Sequence, residues 1–408
     1  MASTNRAVPI VMAAVLIDTI GFGIVIPVLP RLIVRLGALP LAEATRIGGY
    51  MLMAFAAAQF IAGPVIGNLG DRYGRRPVML ACMAAFAFDY ALMAFAPTLG
   101  WLFLGRIIAG ITGAIYGPAN AVIADITPPD QRGARFGLMG AMFGLGFILG
   151  PALGGLIAGL DPRAPFLAAA GLALVNALWI ALFLPETLAP ENRRPFEWRR
   201  ANALGAFAPL AHAGGAAPLI ATALIWQLAH MVYPASWSFW AKIRFGWGEQ
   251  QIGLSLAASG AVMIVTQALI TQRAIKWLGE ARAVLVGIAA GTIAFAAYAL
   301  IPRPGLVYLV IVLGFGQWFV FPSINALLSR LVDARNQGAL QGGMASLASV
   351  AAVAGPLMMS QALAGGAERG FPGAAFALAS ALGLIALLAV WRGVLPRLTV
   401  APPPADPI

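Results

Sequence analysis

Long apolar runs separated by short polar segments form the dominant pattern of this chain. We count twelve runs long enough to cross a hydrocarbon core about 30 Å thick. Numbered as spans 1 to 12, they are predicted at Ala7–Leu29, Ile47–Leu69, Val78–Ala96, Trp101–Ile126, Ala134–Leu160, Pro165–Leu184, Pro218–Ala241, Gln251–Thr271, Ala283–Ile301, Gly305–Leu328, Leu340–Ala364 and Gly373–Trp391. Because a helix satisfies its own backbone hydrogen bonds in lipid, the pattern predicts an all-α polytopic membrane protein with twelve transmembrane helices.

One polar interval is longer than the others and divides the spans into two groups of six. It covers residues 185–217, and the Ala, Gly and Pro content of its second part argues against an independent domain there. We therefore predict an N-terminal six-helix bundle at 1–184, a cytoplasmic linker at 185–217, and a C-terminal six-helix bundle with a short tail at 218–408. The segment between spans 8 and 9 weakly repeats the segment between spans 2 and 3, with Gly279 matching Gly74.

Composition and charge exclude several classes of protein. The 408 residues are 61% hydrophobic and only 10% charged, which is outside the range of soluble globular proteins. A net charge of +11 would suggest nucleic acid in a soluble protein, but here the basic residues lie between apolar spans. We therefore expect the anionic surface of the lipid bilayer as a partner, and no nucleic acid. The one cysteine, Cys82, lies in an apolar run, so no disulfide framework or thiol metal site is expected.

The distribution of basic residues predicts the orientation in the membrane. If both termini are cytoplasmic, about two thirds of the 26 Lys and Arg residues fall in cytoplasmic loops. Arg106 is left inside span 4. We therefore predict that both termini face the cytoplasm.

The loop between spans 2 and 3, residues 67–77, packs charges and glycines into a sharp turn. Its composition is also that of a simple positive-inside anchor. The order Gly, three residues, Asp-Arg, one residue, Gly-Arg-Arg resembles the signature loop of major facilitator superfamily transporters. In that family such charges hold the cytoplasmic side closed when the transporter faces outward. The resemblance gives candidate gate residues Gly67, Asp71, Arg72, Gly74, Arg75 and Arg76, with Asp125 of span 4 in reach of Arg75 or Arg76.

Two carboxylates are predicted inside the membrane, Asp18 near the middle of span 1 and Asp89 near the middle of span 3. An ionised carboxylate in this position must be paired or face water, or else it is protonated. Each acid is therefore a candidate proton-coupling residue, with Arg106 as a partner for either one. The alternative is a fixed ion pair that only holds helices together.

Further motifs resemble the tetracycline-exporter branch of drug:proton antiporters. Residues 16–23 look like the first helix of that branch, and residues 105–114 look like its fourth. Span 5 carries the fifth-helix antiporter motif, with candidate residues Gly146, Gly150, Pro151 and Gly154. These small residues also permit close helix packing and a kink.

The resemblance implies a major facilitator fold of two six-helix bundles in a bacterial inner membrane. It implies a monomer that exports an amphipathic drug, most specifically a tetracycline, by alternating access in exchange for protons. We expect no cofactor beyond the proton gradient, although some tetracyclines travel as metal chelates, which would suit Asp18 or Asp89.

The chain departs from this branch in its second half. At the positions of the helix-eight histidine and the helix-nine acid it has Met263 and Gly291. Proton coupling is therefore expected to fall on Asp18 and Asp89.

Aromatic and amide side chains are the candidates for the substrate cavity, because together they suit a flat polycyclic ligand. They are Gln59, Asn176, Trp226, Gln227, His230, Tyr233, Trp237, Gln267, Gln317 and Trp318. Aromatic residues at span ends also form interfacial belts, which is the alternative for part of this set.

Other functions stay open at this point. No metal-ligand cluster, phosphate-binding motif or nucleophile and base pair is evident, so the chain is not predicted to be an enzyme. A multidrug or metabolite exporter of the same fold, a facilitator or importer without proton coupling, and a non-transporting membrane sensor or scaffold are the alternatives.

Overall fold

The computed structural model describes residues 4–128, 131–198, 216–330 and 337–393. Helices are the main regular structure in these ranges, and twelve of them are long and apolar enough to cross a membrane. The predicted all-α fold with twelve spans is therefore confirmed. The division at residues 184 and 218 stays a prediction.

The spans observed in the structure extend several of the predicted ones. Their helices are Thr4–Val25 and Leu29–Gly37 (span 1), Leu41–Tyr73 (span 2), Arg75–Ala94 (span 3), Leu99–Thr112 and Tyr116–Ile126 (span 4), Arg132–Ile157 (span 5), Ala164–Phe183 (span 6), Ala217–His230 and Val232–Phe245 (span 7), Glu249–Val265 and Thr271–Leu278 (span 8), Glu280–Leu300 (span 9), Leu306–Leu313 and Val320–Arg330 (span 10), Gln337–Glu368 (span 11) and Ala374–Gly393 (span 12). We call spans 1–6 the first half and spans 7–12 the second half.

Spans 1, 4, 7 and 10 share an interruption of the α-helix. Span 1 turns at residues 26–28, beside Pro27, and span 7 breaks at Met231. Spans 4 and 10 contain 3₁₀ turns at Gly113–Ile115 and Gly314–Phe319. Span 8 carries a π-helical turn instead, at Thr266–Ile270. Such turns free backbone carbonyls inside the membrane, which side chains must then satisfy.

Close packing places span 5 between spans 1 and 8. A Cβ atom added at Gly150 would lie 2.7 Å from Cα of Gly23 in span 1, and one added at Gly155 would lie 3.1 Å from Cα of Gln250 in span 8. Glycine is needed at both positions because the atoms opposite belong to the backbone. Span 2 packs on span 11 in a second contact between the halves.

The two halves are joined mainly at one end of the molecule. There, Arg46 pairs with Glu368, and Arg31 lies 3.8 Å from Glu249. We call this the far side, and the side of Asp71 and Arg75 the motif side. On the motif side, a Cβ atom added at Gly67, Gly137 or Gly342 would find no atom within 4 Å. Each of these three glycines therefore faces open space.

Candidate functional site

Asp18 lies on span 1 opposite the second helix of span 4. The phenol of Tyr116, the first residue of that helix, lies beside Asp18, and both residues line one small cavity. The Tyr116 hydroxyl lies 3.0 Å from Oγ1 of Thr19, which donates to the carbonyl oxygen of Val15 at 2.8 Å. Sequence reasoning found Asp18 but missed Thr19 and Tyr116.

Asp89 and Arg106 form a buried pair between spans 3 and 4. Asp89 is fully buried and Arg106 is 4% exposed. Their Oδ2 and Nη2 atoms are 4.0 Å apart, and Nη2 of Arg106 donates to the sulfur of Met93 at 2.9 Å. Arg106 is therefore placed beside Asp89.

Gly105 allows this approach of span 4 to span 3. A Cβ atom added there would lie 2.8 Å from Oδ1 of Asp89 and 2.6 Å from Cγ of Met93. Any larger residue would push Arg106 away from the carboxylate.

Arg75 joins two acids at the motif side. Its Nη1 lies 2.5 Å from Oδ1 of Asp71, and its Nε lies 3.2 Å from Oδ2 of Asp125. Asp125 therefore meets Arg75, while Arg76 donates to the carbonyl oxygen of Ala181 in span 6. These contacts all lie within the first half.

The remaining loop residues shape the turn. Gly74 has a φ of +106°, in the region that favours glycine, and it separates span 2 from span 3. Arg72 stacks over the ring of Tyr73 with its guanidinium carbon 5.0 Å from the ring centroid. Gly67 faces open space on the motif side.

Glu186, which sequence reasoning missed as a site residue, caps the start of span 3. Its carboxylate accepts hydrogen bonds from the backbone N–H groups of Arg75 at 2.9 Å and Arg76 at 3.2 Å. An anion is favoured at a helix N-terminus. The next residues bind the same loop, because the N–H of Arg194 donates to the carbonyl oxygen of Asp71 at 3.1 Å. The one sequence signal for this capping role was an acidic residue shortly after the end of span 6.

The antiporter motif faces span 1 beside Asp18. A Cβ atom added at Gly146 would lie 2.6 Å from Cβ of Thr19, and one added at Gly154 would lie 2.8 Å from Cα of Ile24. Pro151 lies inside the helix of span 5, with its Cδ 2.8 Å from a Cβ added at Gly23. The motif therefore fixes the distance between spans 1 and 5.

Six of the predicted substrate residues come together in the second half, around His230. Its ring centroid lies 4.8 Å from that of Trp226, 5.6 Å from that of Tyr233 and 5.9 Å from that of Trp318. The Tyr233 hydroxyl donates to Oε1 of Gln317 at 3.0 Å. Polar atoms with no hydrogen-bond partner among the described residues include Nε1 of Trp226, Oε1 of Gln227 and Nε2 of His230. All three atoms are buried, and the whole Trp226 side chain is fully buried.

Trp237 extends this cluster as a packing residue. It is 2% exposed, and its Nε1 donates to Oγ of Ser255 at 2.9 Å. Gln267 is exposed on the π-helical turn of span 8, and no described contact joins it to His230.

The other predicted amides bind backbone carbonyls. Gln59 donates to the carbonyl oxygen of Gly113 at 3.0 Å, and Gln317 donates to that of Gly314 at 3.0 Å. These carbonyls lie at the 3₁₀ turns of spans 4 and 10. Asn176 donates to the carbonyl oxygen of Ala14 at 2.9 Å and so joins span 6 to span 1.

Trp226 occupies the space beside Gly291, one of the two positions where the sequence departs from the branch it resembles. A Cβ atom added at Gly291 would lie 2.5 Å from the indole ring and 3.1 Å from Cβ of Gln317. At the other departure, Cε of Met263 lies 3.4 Å from a Cβ added at Gly144 of span 5. Both positions are filled by neighbouring side chains.

Twelve spans in two halves, buried charges in one half and an aromatic cluster in the other define a multi-pass membrane transporter for a small molecule. The family model of the Major Facilitator Superfamily matches residues 11–356. The chain belongs to this superfamily.

Comparison with known proteins shows relatives of full length. The chain is 38% identical to the tetracycline resistance protein, class C, of Escherichia coli over 97% of this chain and 99% of that protein. It is 38% identical to the class G protein of Vibrio anguillarum over 84% of this chain and 86% of that protein. The crystal structure of the human organic anion transporter MFSD10 matches with a TM-score of 0.70 and 26% identity, over 95% of this chain and 99% of that one.

Proposed function

We propose that this protein is a proton-coupled efflux antiporter whose substrate is a tetracycline. The observation that carries the proposal is 38% identity to a tetracycline resistance protein along almost the whole of both chains. The matched region covers both halves of the chain. The protein would act as a monomer in a bacterial inner membrane, with both termini and the motif side facing the cytoplasm.

Asp18 and Asp89 are the proposed proton-coupling residues. Asp18 is partly exposed and lies beside the Tyr116 hydroxyl group, so it can lose its proton without leaving a bare charge in lipid. Asp89 has Arg106 as a cation partner at 4.0 Å. Proton release from an acid and substrate binding to the same state would couple the two opposite fluxes.

Alternating access requires the far side to open and the motif side to close. The pairs of Arg46 with Glu368 and of Arg31 with Glu249 join the halves at the far side. We infer that they break when the protein faces outward. Asp71, Arg75 and Asp125 would then hold the motif side closed.

The aromatic cluster of the second half is the proposed substrate surface. A flat ring system could stack on Trp318, which is partly exposed, while Gln227 and His230 supply hydrogen-bonding groups. A metal chelate of the drug would find its cation partners in the first half, at Asp18 or Asp89.

Drug-driven proton movement in proteoliposomes tests the coupling. We expect tetracycline added on one side to move protons in the opposite direction, and Asp18→Asn to abolish this movement. The matched control is Asp161→Asn, which removes an exposed loop carboxylate bound only to the N–H of Arg163 among its described hydrogen bonds. Intact coupling in the double variant Asp18→Asn, Asp89→Asn would contradict the assignment.

Export of a different amphipathic compound is the second candidate, favoured by Trp226 beside Gly291. This indole places an apolar surface where the sequence departs from the branch it resembles. Resistance of a drug-sensitive bacterial strain, scored against a panel of antibiotics, separates the two candidates. Protection against other amphipathic drugs without any shift for tetracyclines would support the second.

A further inference from the structure

A small cavity lies beside Asp18 inside the first half. Its volume is about 10 Å³, and its mostly apolar lining includes Asp18, Tyr116 and Asn176. Methyl groups of Ala14 and Ala119 provide part of the apolar lining. A cavity of about this volume holds one water molecule when two or more polar groups can bind it.

Asn176 has an unused hydrogen-bond acceptor at this cavity. The side chain is fully buried, and its Nδ2 donates to the carbonyl oxygen of Ala14 at 2.9 Å. Its Oδ1 has no partner among the described residues. A buried amide oxygen left in this way is unfavourable, so a hydrogen-bond donor is needed beside it.

The hydroxyl groups beside Asp18 cannot supply that donor. Thr19 has one hydroxyl hydrogen, which it donates to the carbonyl oxygen of Val15. Tyr116 also has one, and its hydroxyl lies 3.0 Å from Oγ1 of Thr19. A carboxylate at Asp18 therefore has one protein donor at most, and Oδ1 of Asn176 has none.

We propose that this cavity is a water site and that its water is the immediate proton donor and acceptor for Asp18. The proposal rests on the proposed proton-coupling role of Asp18. With Asp18 ionised, the water donates one hydrogen to the carboxylate and the other to Oδ1 of Asn176. An incoming proton converts this water to hydronium, which passes a proton to the carboxylate and leaves a neutral water beside a carboxylic acid. Asn176 is a positioning residue that holds the water.

Two substitutions of Ala119 test the water without touching Asp18. Valine and threonine have nearly the same shape, so Ala119→Val and Ala119→Thr fill the cavity equally, but only threonine restores a hydroxyl group. We expect Ala119→Val to slow drug-driven proton movement about tenfold, which corresponds to about 1.4 kcal/mol. Ala119→Thr should stay close to the unsubstituted protein.

Infrared difference spectroscopy measures a band position that a change in packing alone would not shift. The carboxylic C=O band of Asp18, identified by its loss in Asp18→Asn, should shift to higher wavenumber in Ala119→Val because one hydrogen bond is lost. It should stay in place in Ala119→Thr. The pair Ala14→Val and Ala14→Thr repeats the test from the opposite wall if the Ala119 variants do not fold.

The outcomes separate this inference from the proposed function. If Asp18→Asn abolishes coupling while the valine and threonine variants behave alike, whether both are active or both slow, the water site is overturned and the role of Asp18 stands. If Asp18→Asn leaves coupling intact, the proposed function itself fails.

Discussion

Arg46 and Glu368 form a two-bond ion pair across the two halves, with Nη1 to Oε1 at 2.6 Å and Nη2 to Oε2 at 2.8 Å. Arg46 lies near the start of span 2 and Glu368 ends span 11. Nε of Arg46 also donates to Oε1 of Gln361 at 3.2 Å, and Gln361 donates to the hydroxyl of Tyr50 at 3.1 Å. The pair therefore belongs to a network that fastens the far side.

Glu368→Gln should shift the protein toward opening at the far side. Exposed ion pairs contribute little to stability, so we expect a population change of about fivefold at most. Spin labels at introduced cysteines in place of Phe95 and Arg303, in a Cys82→Ser background, would report the distance between the halves. The charge exchange Arg46→Glu with Glu368→Arg should restore the original distance distribution. An unchanged distribution in Glu368→Gln would show that the pair does not hold this side.

Arg106→Leu should destabilise the protein strongly, because it leaves the Asp89 carboxylate buried without a cation. Removing one partner of a buried ion pair typically costs about 3–5 kcal/mol. Thermal unfolding in detergent would measure the effect, and the double variant Arg106→Leu, Asp89→Asn should recover most of the loss. Equal melting temperatures for Arg106→Leu and the unsubstituted protein would show that Asp89 is neutral in this state.

Asp71→Asn should abolish or strongly slow transport while leaving ligand binding in detergent largely unchanged. The reason is that Asp71 contacts Arg75 and no described residue of the aromatic cluster. Drug binding by tryptophan fluorescence and transport in proteoliposomes would be compared on the same preparation. A folded variant that fails to bind drug would point instead to a direct contact between Asp71 and the substrate.

Gly150→Ala should impair folding far more than Gly140→Ala on the same helix. The added methyl group at Gly150 would lie 2.7 Å from the carbonyl oxygen of Ile20, whereas none of the surrounding atoms comes within 4 Å at Gly140. Overpacking of this kind costs about 1–3 kcal/mol. Yield of folded protein and melting temperature would measure the difference. Equal behaviour of the two variants would contradict the close packing of spans 1 and 5.

Hydropathy was sufficient to predict the twelve spans because each is a nearly continuous apolar run. It could not predict the 3₁₀ turns at Gly113–Ile115 and Gly314–Phe319, since such a turn leaves the apolar pattern unchanged. For this reason Gln59 and Gln317 appeared in the sequence as substrate groups. In the structure both donate to the carbonyls that these turns free, and their proposed substrate role stays a prediction.

Contacts between residues far apart in the sequence were the second feature that could not be predicted. Arg46 and Glu368 are separated by 322 residues, and neither lies in a recognisable motif. Thr19 and Tyr116 are ordinary residues in apolar helices until the fold places them beside Asp18. Asp18, Asp89 and Arg106 could be identified from the sequence because a charged residue within an apolar span is unusual by itself. A hydroxyl residue in such a span is common.

Glu186 changes where the protein could be divided. Its carboxylate completes the first turn of span 3, and Asn68 donates to the carbonyl oxygen of Glu197 at 2.8 Å. Residues 186–197 are therefore bound to the first half although they follow its last span. If the protein is expressed as two fragments divided directly after residue 184, the first fragment lacks the residue that caps its own helix. Fragments cut beyond residue 198 would keep it, so the two fragments could reassemble into a working transporter.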